Sequence, residues 1–203
     1  MKAKPSLFAI TIIVSIVFTW SLINPHDYFT WFLEVLPALI GITLLVVTYK
    51  RFQFTTFVYA LIGFHAIILM VGGHYTYAEV PLFNWIRATF HQARNNYDKL
   101  GHFTQGFVPA IVAREILLRQ SPLHRGKWLF FIVICICLAI SAMYELFEWG
   151  IAIGTGTAAD AFLGTQGDPW DTQSDMAFAL IGAITALGTL TTVHDKYLRR
   201  INI

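Results

Sequence analysis

The chain has 203 residues, 56% of them hydrophobic and 13% charged, and a formal net charge of +2; its mean hydropathy is +0.60. About a quarter of the residues of a soluble domain are charged, so the composition argues against a water-soluble globule, and the few, dispersed basic residues argue against a nucleic-acid-binding surface. Cys135 and Cys137 are the only cysteines. They lie two apart in one apolar run and point to different sides of a helix, which argues against a disulfide framework or a thiolate zinc site.

A helix needs about 20 apolar residues to cross the hydrocarbon core of a bilayer. Six stretches qualify, over 6–23, 31–49, 54–72, 99–118, 128–150 and 175–193. They predict an all-α fold, a polytopic membrane helical bundle with six transmembrane helices in a single integral membrane domain over 1–203. Lys2 and Lys4 precede the first stretch, which ends in TWSLINP without a small-x-small cleavage site; we therefore take it as a retained anchor and not a signal peptide. Glu34 stands near the start of the second, and the third carries His65 in GFHAI and ends in GGHYTYAE, with His74 and Glu79.

The connection over 73–97 is long enough to hold structure. Pro81 is placed to open a short helix, with Leu82, Trp85, Ile86, Thr89 and Phe90 on one broad face and Arg87, Gln92 and Arg94 more exposed. Such a segment suits the membrane interface. The fourth stretch begins in NNYDKLGHFTQGF and the fifth ends in YELFEWG. The connection over 151–174 contains several glycines, Pro169 and acids, a loop composition, although the fifth helix has an alternative end near Ile153. The sixth opens in GDPWDTQSDMAF, where Ser174 or Asp171 is a candidate N-cap. Gly41, Gly63, Gly101, Gly106 and Gly182 are candidate points of close helix contact.

Charge orients the bundle. With the N-terminus in the cytoplasm, Lys2, Lys4, Lys50, Arg51, the Arg114 to Lys127 group, Lys196, Arg199 and Arg200 fall inside, and Arg87, Arg94 and Lys99 fall outside. This is the lysine and arginine excess expected of cytoplasmic loops, and an even number of spans puts both termini in the cytoplasm.

In that orientation polar residues gather at the outer end, where a carboxylate on a membrane helix costs several kcal/mol unless paired or hydrated. Glu145 and Glu148, three apart, share a helical face. Asp98 and His102 are four apart, and Gln105 continues their stripe. Asp171 and Asp175 repeat the four-residue spacing, with Asp168 just upstream. The candidate polar site is therefore Asp98, His102, Glu145, Glu148, Asp171 and Asp175, with His74, Glu79, Gln105, Asp168 and Glu34 as contributors. Carboxylates crowded together repel one another, and a bound divalent cation such as magnesium, manganese or zinc relieves that repulsion. Taken one at a time, the same residues also suit helix caps and interfacial hydration. At the opposite end Glu115 and Arg119 form an ordinary four-apart pair, while His124 and His194 carry no specific signal.

The stretches GGHYTYAEVPLFNW, NNYDKLGHFTQGF, YELFEW and GDPWDTQSDM closely resemble the bacterial YjdF-like inner-membrane proteins along essentially the whole chain. That resemblance implies a multi-pass protein of the bacterial inner membrane. Over about the last hundred residues the chain is more distantly similar to VanZ-like membrane proteins. Asp98, Lys99, His102 and Phe103 match their Asp-Lys-x-x-His-Phe stretch, Glu145 an acidic helix end and Asp175 an aspartate before the last helix. It departs from them at Phe147-Glu148-Trp149 and Ala177-Phe178-Ala179. The VanZ-like similarity implies handling of a lipid or lipopeptide at the envelope. Four readings stand at this point: an outward-facing site for a cation or polar lipid head, a metal-assisted enzyme acting on an envelope lipid, a small transporter, which His65 favours, and a purely structural role in which the polar residues cap helices. Membrane lipids are the expected partners, and no nucleic acid is.

Overall fold

The chain folds, in a computed structural model that describes residues 5–156 and 160–201, into an all-α bundle. Lys2 and Lys4, which contribute to the charge asymmetry, lie outside the described residues. The long helices are α1 (Pro5–Leu22), α2 (Tyr28–Thr48) and α3 (Thr56–Tyr75), then, after a short α4 (Pro81–Thr89), α5 (Tyr97–Gln120), α6 (Lys127–Thr155), a one-turn α7 (Asp160–Leu163) and α8 (Asp171–Arg199). A single 3-10 turn, Tyr77–Glu79, separates α3 from α4.

Local chemistry sets several of these boundaries. Asp27 caps α2, its Oδ2 accepting from the Thr30 amide at 2.7 Å. That bond holds the Asp27 carboxyl below the usual carboxylate range. Pro81 opens α4 as expected, supplying a fixed φ where no amide hydrogen is needed. Its Leu82 and Trp85, with Phe90 just past its end, are exposed, an apolar face turned out from the bundle. Two boundaries differ from expectation. α6 runs through Gly150 and Gly154 to Thr155, and α8 begins at Asp171 and continues to Arg199, so much of the expected loop over 151–174 is helical. Neither Ser174 nor Asp171 caps α8, because Asp171 is already its first residue and Trp170 holds the cap position without a side-chain bond. α6 and α8 each have 29 residues, about 44 Å of helix against a hydrocarbon core of about 30 Å.

Where the sequence suggests six crossings, four helices among the described residues, α2, α3, α6 and α8, are long and apolar enough to cross a membrane; the apolar part of α1, Ser6–Leu22, is shorter. α6 shows the pattern of a lipid-facing helix, with Trp128, Phe131, Met143, Leu146, Trp149 and Ile153 all exposed. α5 is the reverse. It packs against α3, α6 and α8 and carries Asp98, Lys99, His102, Arg114 and Glu115 at buried positions. Charged residues survive in such a helix because they face other helices and not lipid.

Two apolar cores flank α3. One joins Trp31, Val35, Ile68, Leu69 and Met70 with Tyr77 and Tyr97. The other joins Val58, Ile111, Val133, Cys137, Ala183 and Leu187. Of the glycines expected at close contacts, Gly63, Gly101, Gly106 and Gly182 are in such contacts, whereas a Cβ on Gly41 would meet nothing within 4 Å.

The end opposite the polar cluster is tied by a network that the sequence does not disclose. Glu115 is fully buried and accepts from Thr55 N and Oγ1, both at 2.8 Å, and from Arg119 at 2.8 Å. His194, which carries no specific signal in the sequence, is fully buried too. Its Nδ1 accepts from Arg114 at 2.8 Å, so its Nε2 carries the hydrogen donated to Glu115 at 2.9 Å. Arg114 also donates to Asp195 at 2.7 Å. Glu115 thus binds the start of α3 to α5 and α8, a larger role than an ordinary helix-surface pair.

Candidate functional site

α5 and α8 are the most intimately packed helices, and two glycines are the reason. A Cβ on Gly106 would lie 1.8 Å from the Ala179 carbonyl oxygen, and one on Gly182 would lie 2.0 Å from that of Phe103. Only hydrogen fits at either place, so the two backbones touch. Above this contact the first two turns of α5 face the first turns of α8, which brings Asp98, Lys99 and His102 against Asp171, Ser174 and Asp175.

Lys99 is the hub. Its Nζ donates to Asp171 Oδ1 at 2.7 Å, Asp175 Oδ1 at 2.8 Å and Ser174 Oγ at 2.6 Å. His102 lies beneath it, with Nε2 3.4 Å from Asp98 Oδ1 and 3.8 Å from Asp175 Oδ2. Its Nδ1 is 3.1 Å from Gln105 Oε1 and 3.7 Å from Glu145 Oε1. Asp98, His102, Glu145 and Asp175 are all buried. One donor atom each from Asp98, His102 and Asp175 lie within 4.8 Å of one another, a grouping able to hold a metal ion.

Arg94 closes the top. It donates to Asp171, to Asp98 at 3.3 Å and to the Gly164 carbonyl at 3.1 Å, and reaches Asp168 at 3.5 Å. Burial works against its charge, but the Asp171 hydrogen bond and the surrounding carboxylates raise its pKa. The sequence suggests an exposed Arg94; in the structure its side chain is only 11% accessible. The segment before α8 is held over the site by a reciprocal pair, Asn95 N to Gln166 Oε1 and Gln166 Nε2 to Asn95 O, each 2.9 Å.

The remaining candidates divide. Glu145 is buried, with Oε1 lacking a hydrogen-bond partner, whereas Glu148, one turn on, is half-buried and makes no ion pair among the described residues. Glu34 is buried apart from the centre, its Oε1 accepting from Tyr77 N at 3.2 Å and from Thr76 Oγ1 at 3.4 Å. His74 lies against Trp20 and the Ser21 carbonyl at the end of α1. Glu79 is exposed and bonded to Asn84 at 3.0 Å. His74 and Glu79 therefore stand outside the cluster.

Lys99 and Arg94 are the two participants that the acid-and-histidine pattern omits. Two cations thus sit among the acids. Lys99 lies one residue from the Asp98–His102–Gln105 stripe, about 100° round the helix, which hides it from a periodicity argument. Its place between Asp98 and His102 in DKLGH is the signal that points to it.

Lipid-facing apolar helices enclosing an acidic and imidazole centre at one end define a multi-pass integral membrane protein. The chain belongs to the family described as Predicted membrane protein (DUF2238), whose model matches residues 6–196. It is similar to the Inner membrane protein YjdF of Escherichia coli (strain K12), 51% identical over 195 residues that cover 96% of this chain and 92% of that protein. No solved structure gives a significant match.

Proposed function

We propose that this chain is a six-pass protein of the bacterial inner membrane, with both termini in the cytoplasm, that holds a divalent cation at its outer face for contact with a polar lipid head group. The observation that carries the cation is the convergence of Asp98, His102 and Asp175 donor atoms within 4.8 Å. Charge supports it. Five carboxylates (Asp98, Glu145, Asp168, Asp171 and Asp175) meet two fixed cations (Arg94 and Lys99), and five minus two leaves three negative charges. Mixed carboxylate and imidazole donors suit manganese, magnesium or zinc; the unpartnered Glu145 Oε1 lies at the other ring nitrogen of His102, 3.7 Å from Nδ1. The positive-inside asymmetry supports the orientation, and the name of the Escherichia coli relative supports the inner membrane.

The test is metal content by elemental analysis, with manganese binding by titration of protein in detergent. Wild type is expected to bind one ion per chain. Asp175→Asn and His102→Ala should each weaken binding by about tenfold or more, as loss of a metal-site interaction does. Asp195→Asn, at the opposite end, should leave it unchanged. Binding should strengthen as pH rises, because the ligands must be deprotonated. Equal binding by all four proteins, or none by wild type, defeats the proposal.

A further inference from the structure

α1 and α2 each pack along α3 but barely touch one another. The result is a groove of about 430 Å³ with α3 as its floor, within the roughly 300–1,000 Å³ of ligand-sized pockets. Each helix contributes one stripe at helical spacing. Tyr59, Ile62, Gly63 and Ala66 form the floor; Leu7, Ile10, Thr11, Val14 and Ser15 form one wall; Ile42, Leu45, Val46 and Tyr49 form the other. At Gly63 an added Cβ would come within 2.9 Å of Ile10, so α1 rests directly on the floor. Ser15 and Val46, on opposite lips, are exposed at the bundle surface.

The lining is almost wholly hydrocarbon, and the Thr11 hydroxyl is already bonded to the Leu7 carbonyl at 3.0 Å. Water needs polar partners and avoids such a space, whereas apolar ligands enter it. α2 and α3 are long and apolar enough to cross a membrane, so the medium at the mouth is lipid. One end of the groove differs. Tyr49 and Tyr59 stand there, and Tyr59 is only 8% accessible, with a hydroxyl that has no hydrogen-bond partner. Lys50 and Arg51 follow immediately and are exposed. The apolar body and polar tip of a tyrosine such as Tyr49 suit the boundary between acyl chain and head group, and exposed cations suit a phosphate.

We propose that this groove is a phospholipid site, separate from the acidic centre. One acyl chain lies between α1 and α2, its ester end lies beside Tyr49, and its phosphate meets Lys50 and Arg51.

The test places the full-length protein in bilayers containing a phospholipid with a photoactivatable diazirine on one acyl chain, and maps the adducts by mass spectrometry. Half-buried Ile10, Val14, Ile42 and Leu45 are expected to label more heavily than Val47 and Met143, although those two are 72% and 69% accessible. Ser15→Trp, at an exposed lip, should lower groove labelling by about tenfold, the effect of about 1.4 kcal/mol in binding. Val47→Trp should not, and Leu45→Trp serves if the first variant does not fold. Labelling that simply follows exposure overturns the proposal, as do unchanged labelling in both filled variants and protein–protein cross-links at the groove in place of lipid adducts.

Discussion

Replacing Lys99 by Met keeps the length of the side chain and removes one charge from the centre of the acidic cluster. Its Nζ lies 2.7 Å from one aspartate and 2.8 Å from another. At an effective dielectric constant of about 20, each contact amounts to roughly 6 kcal/mol before desolvation is subtracted. Removing one partner of a buried ion pair costs about 3–5 kcal/mol net. For a chain of this size each kcal/mol moves Tm by about 2–4 °C, so Lys99→Met should melt roughly 10 °C below wild type. The variant also leaves five carboxylates facing Arg94 alone, which should tighten cation binding. Manganese at about 100 times its Kd should then return about 2.7 kcal/mol. The assay is thermal unfolding in detergent followed by tryptophan fluorescence, at one scan rate, with and without manganese. A variant that melts with wild type refutes the electrostatic account of Lys99. One that is destabilised and gains nothing from manganese refutes the cation site while leaving the ion pairs standing.

Three further outcomes are expected. Glu115→Leu strands Thr55, Arg119 and His194 at once; it should lose about 3 kcal/mol or more, measured by the same melting assay, while Glu115→Gln, which retains acceptor capacity for Thr55, should lose less. Gly106→Val should abolish a monodisperse size-exclusion peak because its Cβ has no room against Ala179, whereas Gly188→Ala, with nothing within 4 Å, should not; equal behaviour of the two would contradict the α5–α8 contact. For orientation, single cysteines at Gln166 and at Lys50, in a chain with Cys135 and Cys137 replaced, should react with an impermeant maleimide on intact spheroplasts only at Gln166. Labelling of Lys50 from outside would reverse the proposed topology.

The sequence by itself determined that this is a membrane protein, because long apolar runs with few charges have no other stable home. It also offered Asp98, His102 and Asp175, which the structure brings into one group. Asp98 with His102 and Asp171 with Asp175 stand at helix starts, and the period of 3.6 residues placed each pair on one face. Periodicity speaks only of one helix at a time, so it could not say which faces meet. The α5–α8 contact depends on Gly106 and Gly182 lying opposite carbonyl oxygens of the partner helix, and that register brings Lys99 into a cluster from which its own helical stripe excludes it. Arg94, on a loop without periodicity, is drawn in by the carboxylates of α8 and the Gly164 carbonyl. Tertiary structure likewise separated Glu145, which is buried beside His102, from Glu148, which makes no ion pair among the described residues. It also turned His194 from a residue without a signal into the link between Arg114 and Glu115. Each of these outcomes rests on groups far apart in the chain and within a few ångströms in space, where burial makes an unpaired charge costly and so decides which partners are kept.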